Sequence, residues 1–298
     1  MPRKRPSVGR GARHPINNDE HSDSDADSGE SIDTQDAYEG AVNLPAHQTK
    51  HLAELVYRFP SIDTSFRIVQ RNDTNSTGSS LWLSSQVLSS YLLHTYSKIP
   101  QPVSISGPPK RKRVLELGSG TGLLSLLMAR LGWQVTATDI PPVLDAVLKP
   151  NIDAGLYQLV HPGKATADQV HVCQLDWTTP PDTWHAQLAL PTTATQSPTQ
   201  FDLIITADTI YEPSIVRPLL STLAHLYHRQ PDPRPTILLA LERRDPSHIT
   251  EALRMACEQF ALPFKQIPAK RVRKIFDTLG DGAKWSRDDW DGVEIWKL

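Results

Sequence analysis

The chain has 298 residues, a formal net charge of −2 and 39% hydrophobic residues. That length suits one or two domains with a sizeable core, and the near balance of charge does not direct the chain as a whole to nucleic acid. Its two cysteines, Cys173 and Cys257, form no CxxC or Cys/His cluster, which argues against a disulfide framework or zinc site and fits a reducing compartment. No signal-peptide core and no run of eighteen apolar residues occurs, so the expectation is a soluble cytoplasmic protein with no membrane partner.

Residues 1–43 are expected to be a disordered tail, basic in MPRKRPSVGRGAR and then acidic and serine-rich in DEHSDSDADSGESIDTQDAYEG. Such a segment has too little apolar surface to offset the entropy of ordering. Arg3–Arg5 reads as a solvated arm, with nuclear entry or RNA contact as the alternative. Residues 44–298 then read as one domain. RFPSIDTSFRIVQRN reads as a strand and turn, and TGSSLWLSSQVLSSYLLHTYS as a helix with Leu88, Tyr91 and Leu92 at helical spacing. IPQPVSISGPPKRK is a proline-rich connector.

From there strands and helices alternate. Strands are predicted at 114–117, 134–139, 170–175, 201–207 and 236–242. Helices are predicted at 123–131, near 143–155, at about 213–228 and at 247–260. A polar insertion, TTPPDTWHAQLALPTTATQSPTQ, occupies 178–200. Two last strand candidates, 264–275 and 292–298, follow with no long helix between them, which predicts an antiparallel hairpin. KRVRK at 270–274 reads as a solvated edge strand whose charges protect it from pairing. The whole predicts an α/β, Rossmann-like doubly wound sheet of seven strands, mostly parallel, with an antiparallel C-terminal edge.

The stretch VLELGSGTGLLSLLMARLGWQVTATDI holds the chemistry. Gly118, Gly120 and Gly122 follow one strand, and Asp139 ends the next. In doubly wound sheets a glycine turn at that place lets a ligand approach the backbone, and a carboxylate ending the second strand accepts from a ribose diol. The spacing is GxGxG rather than GxGxxG, and no Lys-Ser/Thr pair follows, so nothing is arranged to hold pyrophosphate. An adenosine-type ligand is the reading. Asp176, ending the third strand, suits an exocyclic amine, and Trp177 offers a face for stacking. Asp208 and Tyr211 follow the fourth strand at the mouth of such a site; the plainer alternative is a helix cap by Asp208 and a packed Tyr211. The eleven histidines are scattered, so no metal is expected. Trp285 and Trp290 are candidates to line an acceptor groove, whereas Trp296 alternates with Val293 and Ile295 as a core residue.

ELGSGTG after a strand resembles motif I of the class I, seven-β-strand methyltransferases, which bind S-adenosyl-L-methionine. With TGSSLW upstream and ADTIY, which matches a (D/E)xx(Y/F) signature, residues 77–298 resemble the protein-lysine branch called methyltransferase family 16. The resemblance implies that Trp82 contacts the cofactor, that Gly118, Ser119 and Gly120 form the turn, and that Asp139 takes the ribose. It also implies that Trp177 covers the adenine with the Ala207 backbone nearby, and that Asp208 to Tyr211 face the incoming side chain. Glu116 either orients the methionine amine or bonds backbone N–H groups of the turn; both readings stay open. Within the branch the chain is most similar to fungal enzymes that modify translation elongation factor 1A, which implies a protein substrate and a monomeric enzyme without direct nucleic-acid contact. The alternatives are a small-molecule or protein-histidine N-methyltransferase, or a catalytically silent binding module.

Overall fold

The computed structural model describes residues 43–71, 77–97, 111–181, 183, 188, 200–279 and 285–298. Residues 1–42 of the tail expected at 1–43, and most of the insertion expected at 178–200, lie outside those residues. Asn43, assigned above to the tail, is instead buried: its Nδ2 donates to the Arg58 carbonyl at 2.8 Å and its Oδ1 accepts from Arg58 N at 2.7 Å.

A short helix α1 (Ala46–Thr49) leads into a hairpin of β1 (Glu54–Phe59) and β2 (Thr64–Val69), paired apart from the main sheet. Alternate residues Tyr57, Phe59, Phe66 and Ile68 are buried, the period expected of strands with one face on a core. Helix α2 (Leu83–Tyr96) precedes β3 (Arg113–Leu117), α3 (Leu123–Arg130) and β4 (Gln134–Asp139). A helical run from Pro141 then passes through a wide turn, Leu144–Leu148, into α4 (Lys149–Val160). The rest is β5 (Val170–Gln174), β6 (Leu203–Ala207), α5 (Pro213–His228), β7 (Thr236–Glu242), α6 (Pro246–Phe260), β8 (Lys265–Gln266), α7 (Ala269–Leu279) and β9 (Val293–Lys297).

Seven strands form one sheet in the order β5-β4-β3-β6-β7-β9-β8. The pairings from β5 through β7 are parallel, and β9 is antiparallel to both of its neighbours. Central strands are apolar on both faces, as a sheet covered on both sides requires. Val114, Leu203, Ile205, Leu238 and Ala240 join the core under α2, α3, α4 and α7. Leu115, Leu117, Ile204, Leu239 and Leu241 join the core under α5 and α6. Helix α3 is buried from Leu123 to Ala129, in keeping with its apolar residues on every side.

The antiparallel edge is present, but its connection differs from expectation. Only Lys265–Gln266 is extended in the stretch predicted as a strand, and a helix stands between β8 and β9. KRVRK is therefore helical. Pro268 halts the strand, and its carbonyl accepts from Arg271 and Val272 N in the first turn. Val272, Ile275 and Phe276, at i, i+3 and i+4, then bury one face. Alternating charge and valine satisfies either period, so the apolar residues just beyond it decide. Trp285 and Trp290 pack on Phe276 at 4.9 and 5.2 Å between ring centroids, in the core under α7 rather than beside a groove. Trp296 is half-buried against the other core. No helix among the described residues is long and apolar enough to cross a membrane.

Candidate functional site

The carboxyl ends of β3 to β7 open on a cavity of about 370 Å³, a size typical of small-molecule pockets. Its floor is the turn after β3. Gly118 and Gly120 both have positive φ, at 67° and 53°, a region that costs a side chain strain. A Cβ on Gly118 would lie 2.9 Å from the Thr209 methyl and 3.3 Å from the Trp177 ring; one on Gly120 would lie 2.9 Å from the Gly78 carbonyl. Ser119 N donates to Thr138 O at 2.9 Å, and Thr138 N donates back to Ser119 Oγ at 3.0 Å, which ties the turn to β4.

Asp139 sits at the end of that strand. Its Oδ2 accepts from Gly120 N and its Oδ1 from Ile140 N, both at 2.8 Å. Each oxygen keeps further acceptor capacity toward the cavity it lines. Burial pushes this carboxyl up to about 6, against the pull of the two N–H groups.

Glu116 lies behind the turn, not on the cavity wall. It is 2% exposed, and its Oε2 accepts from Ser125 Oγ in the first turn of α3. Between the two readings of Glu116, this arrangement favours bracing the turn. Burial pushes its carboxyl up to about 8, while the bonds from Ser125 and Ser119 oppose the rise. The folded value stands above the unfolded one, 4.5. Its stabilising contribution is therefore complete below about pH 4.5 and is lost as pH rises through about 8. Glu116→Gln, which keeps an acceptor and removes the charge, should melt several degrees above the parent at pH 9 and close to it at pH 5. A difference independent of pH in paired melting curves would refute this.

Where β4 and β5 end, Leu175 N donates to Asp139 O at 3.1 Å. Asp176 Oδ1 accepts from Thr178 N and Oγ1 at 2.9 and 2.7 Å, closing a local turn on the wall. The Trp177 ring forms the adjoining wall, and its Nε1 is buried with no hydrogen-bond partner among the described residues. Trp82 faces in from the far side, its Nε1 donating to Thr77 O at 2.8 Å.

The opposite end is charged. Asp208 has φ +55°, in the left-handed region that a non-glycine residue rarely adopts. Its side chain is only 8% exposed. Its Oδ2 accepts from Ser84 N at 3.3 Å and its Oδ1 from Glu242 N at 3.4 Å. Arg244 Nη2 lies 3.5 Å from Asp208 Oδ1 and 2.5 Å from Glu242 Oε2. Burial raises the Asp208 carboxyl above its ordinary range, with Ser84 and Arg244 pulling it down and Glu242 adding to the rise. The helix-cap alternative takes an unexpected form. Asp208 meets the N-terminus of α2 through Ser84, while α5, the helix that follows it, is capped by Glu212 accepting from Ser214 N. Tyr211 is not packed away; it is 49% exposed at the rim.

The structure thus gathers Trp82, Gly118, Ser119, Gly120, Asp139, Asp176, Trp177, Ala207, Asp208 and Tyr211 around one cavity and leaves Glu116 behind it. Sequence reasoning missed Gly78, Ile140 and Arg244 on the same wall. Arg244 follows β7 at the carboxyl edge of the sheet, the edge where ligands bind in such folds, so its place in the strand order was the available signal.

A family model described as "Lysine methyltransferase" matches residues 62–255. Mouse protein N-lysine methyltransferase METTL21A is 38% identical over 112 residues, 38% of this chain and 43% of the relative. Mouse EEF1A lysine methyltransferase 3 is 33% identical over 133 residues, 45% of this chain and 46% of the relative. The Saccharomyces cerevisiae protein-lysine N-methyltransferase EFM6 is 28% identical over 192 residues, 60% of this chain and 70% of the relative. The chain spans about half the length of the first curated relatives it matches. The family match takes in more than half of the sequence and runs through the glycine turn, Asp139 and Asp208, and this chain belongs to the lysine methyltransferase family.

Proposed function

We propose that the chain is an S-adenosyl-L-methionine-dependent protein-lysine N-methyltransferase. One observation carries the reading: a single cavity is lined by the glycine turn, Asp139, Trp177, Asp208 and Tyr211, with Asp139 ending β4 and Asp208 following β6 on either side of β3. The fit to the cofactor rests on this chain's own atoms. Gly118 and Gly120 present bare backbone on the cavity wall, and both Asp139 oxygens keep acceptor capacity for a diol.

When bound, the cofactor supplies a methyl group on a sulfonium, an excellent leaving group, so alignment and electrostatics are what remain for the protein. Asp139 grips the ribose hydroxyls, and Trp177 covers the adenine. At the other end the acceptor amine must be neutral. A lysine with an ordinary pKa of about 10.4 is neutral in roughly one molecule in two thousand at neutral pH. Asp208 draws in and orients the ammonium, but a lone carboxylate would also hold the proton on. Arg244, beside Asp208, offsets part of that effect. Tyr211 at the rim is placed to hydrogen-bond the nitrogen, and the proton leaves to water.

The acceptor we propose is a translation elongation factor, on the resemblance in the sequence and on the name of one relative, EEF1A lysine methyltransferase 3. The cytoplasm is the proposed location, and the monomer the proposed state. Labelling a lysate from a strain lacking the protein with radioactive S-adenosyl-L-methionine and the purified chain, then identifying the marked band by mass spectrometry, tests the acceptor. Cofactor binding is tested separately by melting with S-adenosylhomocysteine. At a hundredfold excess over Kd, a ligand of the native state alone adds about 2.7 kcal/mol, a readily measured rise in Tm. No rise would favour the silent binding module.

A further inference from the structure

A lysine of this chain already stands beside the acceptor end. Lys50 Nζ lies 3.2 Å from the centroid of the Trp82 ring, and Trp82 lines the cavity together with Asp208 and Arg244. Arg244 Cζ lies 4.5 Å from the same centroid. Asp208 and Glu242 both act on the Lys50 amine electrostatically. The carboxylate assigned to an incoming lysine therefore already acts on one, which the Trp82 face holds nearby.

The placement is built, not a chance reach of a loose chain end. Lys50 follows α1 directly, and its backbone N donates to Ala46 O at 3.1 Å. Ala46 N donates to Gln86 Oε1 on α2, and Gln86 Nε2 donates to Leu44 O, both at 2.8 Å. Gln70 Nε2 donates to the carbonyls of Thr49 and Leu52, on either side of Lys50, both at 2.9 Å. The backbone under Lys50 is thus tied to α2 and to the end of the β1–β2 hairpin, and Trp82 immediately precedes α2.

We infer that Lys50 is a self-methylation site, its ε-amine delivered within the same molecule to the acceptor end of the cavity. This rests on the proposed methyltransferase reading. The lone pair of the neutral amine forms the new N–C bond as the methyl C–S bond of S-adenosyl-L-methionine breaks. That bond's electron pair stays on sulfur, leaving neutral S-adenosylhomocysteine, and the proton of the methylated ammonium passes to water. The surroundings help to free the amine: burial first, then the Arg244 guanidinium, push Lys50 below its ordinary range, while Asp208 and Glu242 pull it back. Marking Lys50 adds methyl groups against an indole face, where a more diffuse cation remains favoured.

Two measurements test this, one of them without turnover. Reductive methylation of the unloaded chain with ¹³C-formaldehyde should give a lysine methyl resonance shifted upfield by the Trp82 ring and absent from Lys50→Arg. After incubation with S-adenosyl-L-methionine, the peptide carrying Lys50 should gain the mass of one or more methyl groups. The fraction marked per unit time should not change over a tenfold range of protein concentration. The absence of a ring-shifted signal, an unmarked Lys50, or marking that speeds up with protein concentration would each overturn the inference. Calorimetry with S-adenosylhomocysteine on the same sample separates the causes. Binding with an unmarked Lys50 rejects only self-methylation, whereas no binding rejects the methyltransferase reading with it.

Discussion

Asp208→Ala is expected to lower kcat by about a hundredfold or more, the range seen when one preorganised electrostatic group is removed from an active site. Affinity for S-adenosylhomocysteine should stay within a few-fold of the parent, because Asp208 follows β6, across β3 from the β4 end that carries Asp139. The substitution also leaves Ser84 N, at the start of α2, and Glu242 N without their acceptor. A lost N-terminal cap costs about 1 kcal/mol, so a modest fall in Tm should accompany the loss of rate. Alanine at φ +55° adds strain of its own. Asp208→Asn separates these effects, since it keeps one acceptor oxygen for Ser84 and removes the charge. Steady-state kinetics on the acceptor, with calorimetry for the cofactor, decide the matter. An Asp208→Asn enzyme with parental kcat would remove the carboxylate from the mechanism.

Asp139→Ala carries the second large effect, and it falls on cofactor affinity. Hydrogen bonds to a charged group contribute about 1.5–3 kcal/mol each. Losing a diol's pair should therefore weaken Kd by about a hundredfold or more. Unchanged calorimetric binding would dismiss the ribose assignment. The pH dependence gives a sharper reading. With its carboxyl at about 6 in the unliganded protein, affinity should fall as pH drops below that value, because the protonated group is a poorer acceptor for two hydroxyls. The stability of the unliganded chain runs the other way. The folded value is raised above the unfolded 3.8, so the Asp139 contribution is whole below about pH 4 and is lost as pH rises through about 6. Asp139→Asn should flatten both slopes at once, which a general acid effect elsewhere in the chain would not reproduce.

The residues that sequence alone located share a property: each is marked within its own short segment. The glycines after β3 and the aspartate ending β4 are written into one stretch of fewer than thirty residues, and the alternating strands and helices carry their own periodicity. Where the deciding contact is remote, the sequence was mute. KRVRK fits a strand or a helix until Phe276 meets Trp285 and Trp290. Arg244 joins the site only because β7 lies beside β6. Lys50 is one lysine in a polar turn until Gln70 and Gln86 hold that turn against α2. Glu116 was legible as a motif residue, but its burial and its bond to Ser125 were not.

The contact between Gly78 and Gly120 has a wider consequence. The carbonyl at 78 fills the room a side chain at 120 would need. Position 120 can therefore gain no bulk unless the backbone some forty positions earlier gives way, whatever residue stands there. Bulk at 78 meets a different neighbour, Val143, 3.1 Å from where its Cβ would lie, so the TGSSLW stretch and the corner it backs are limited separately although they touch.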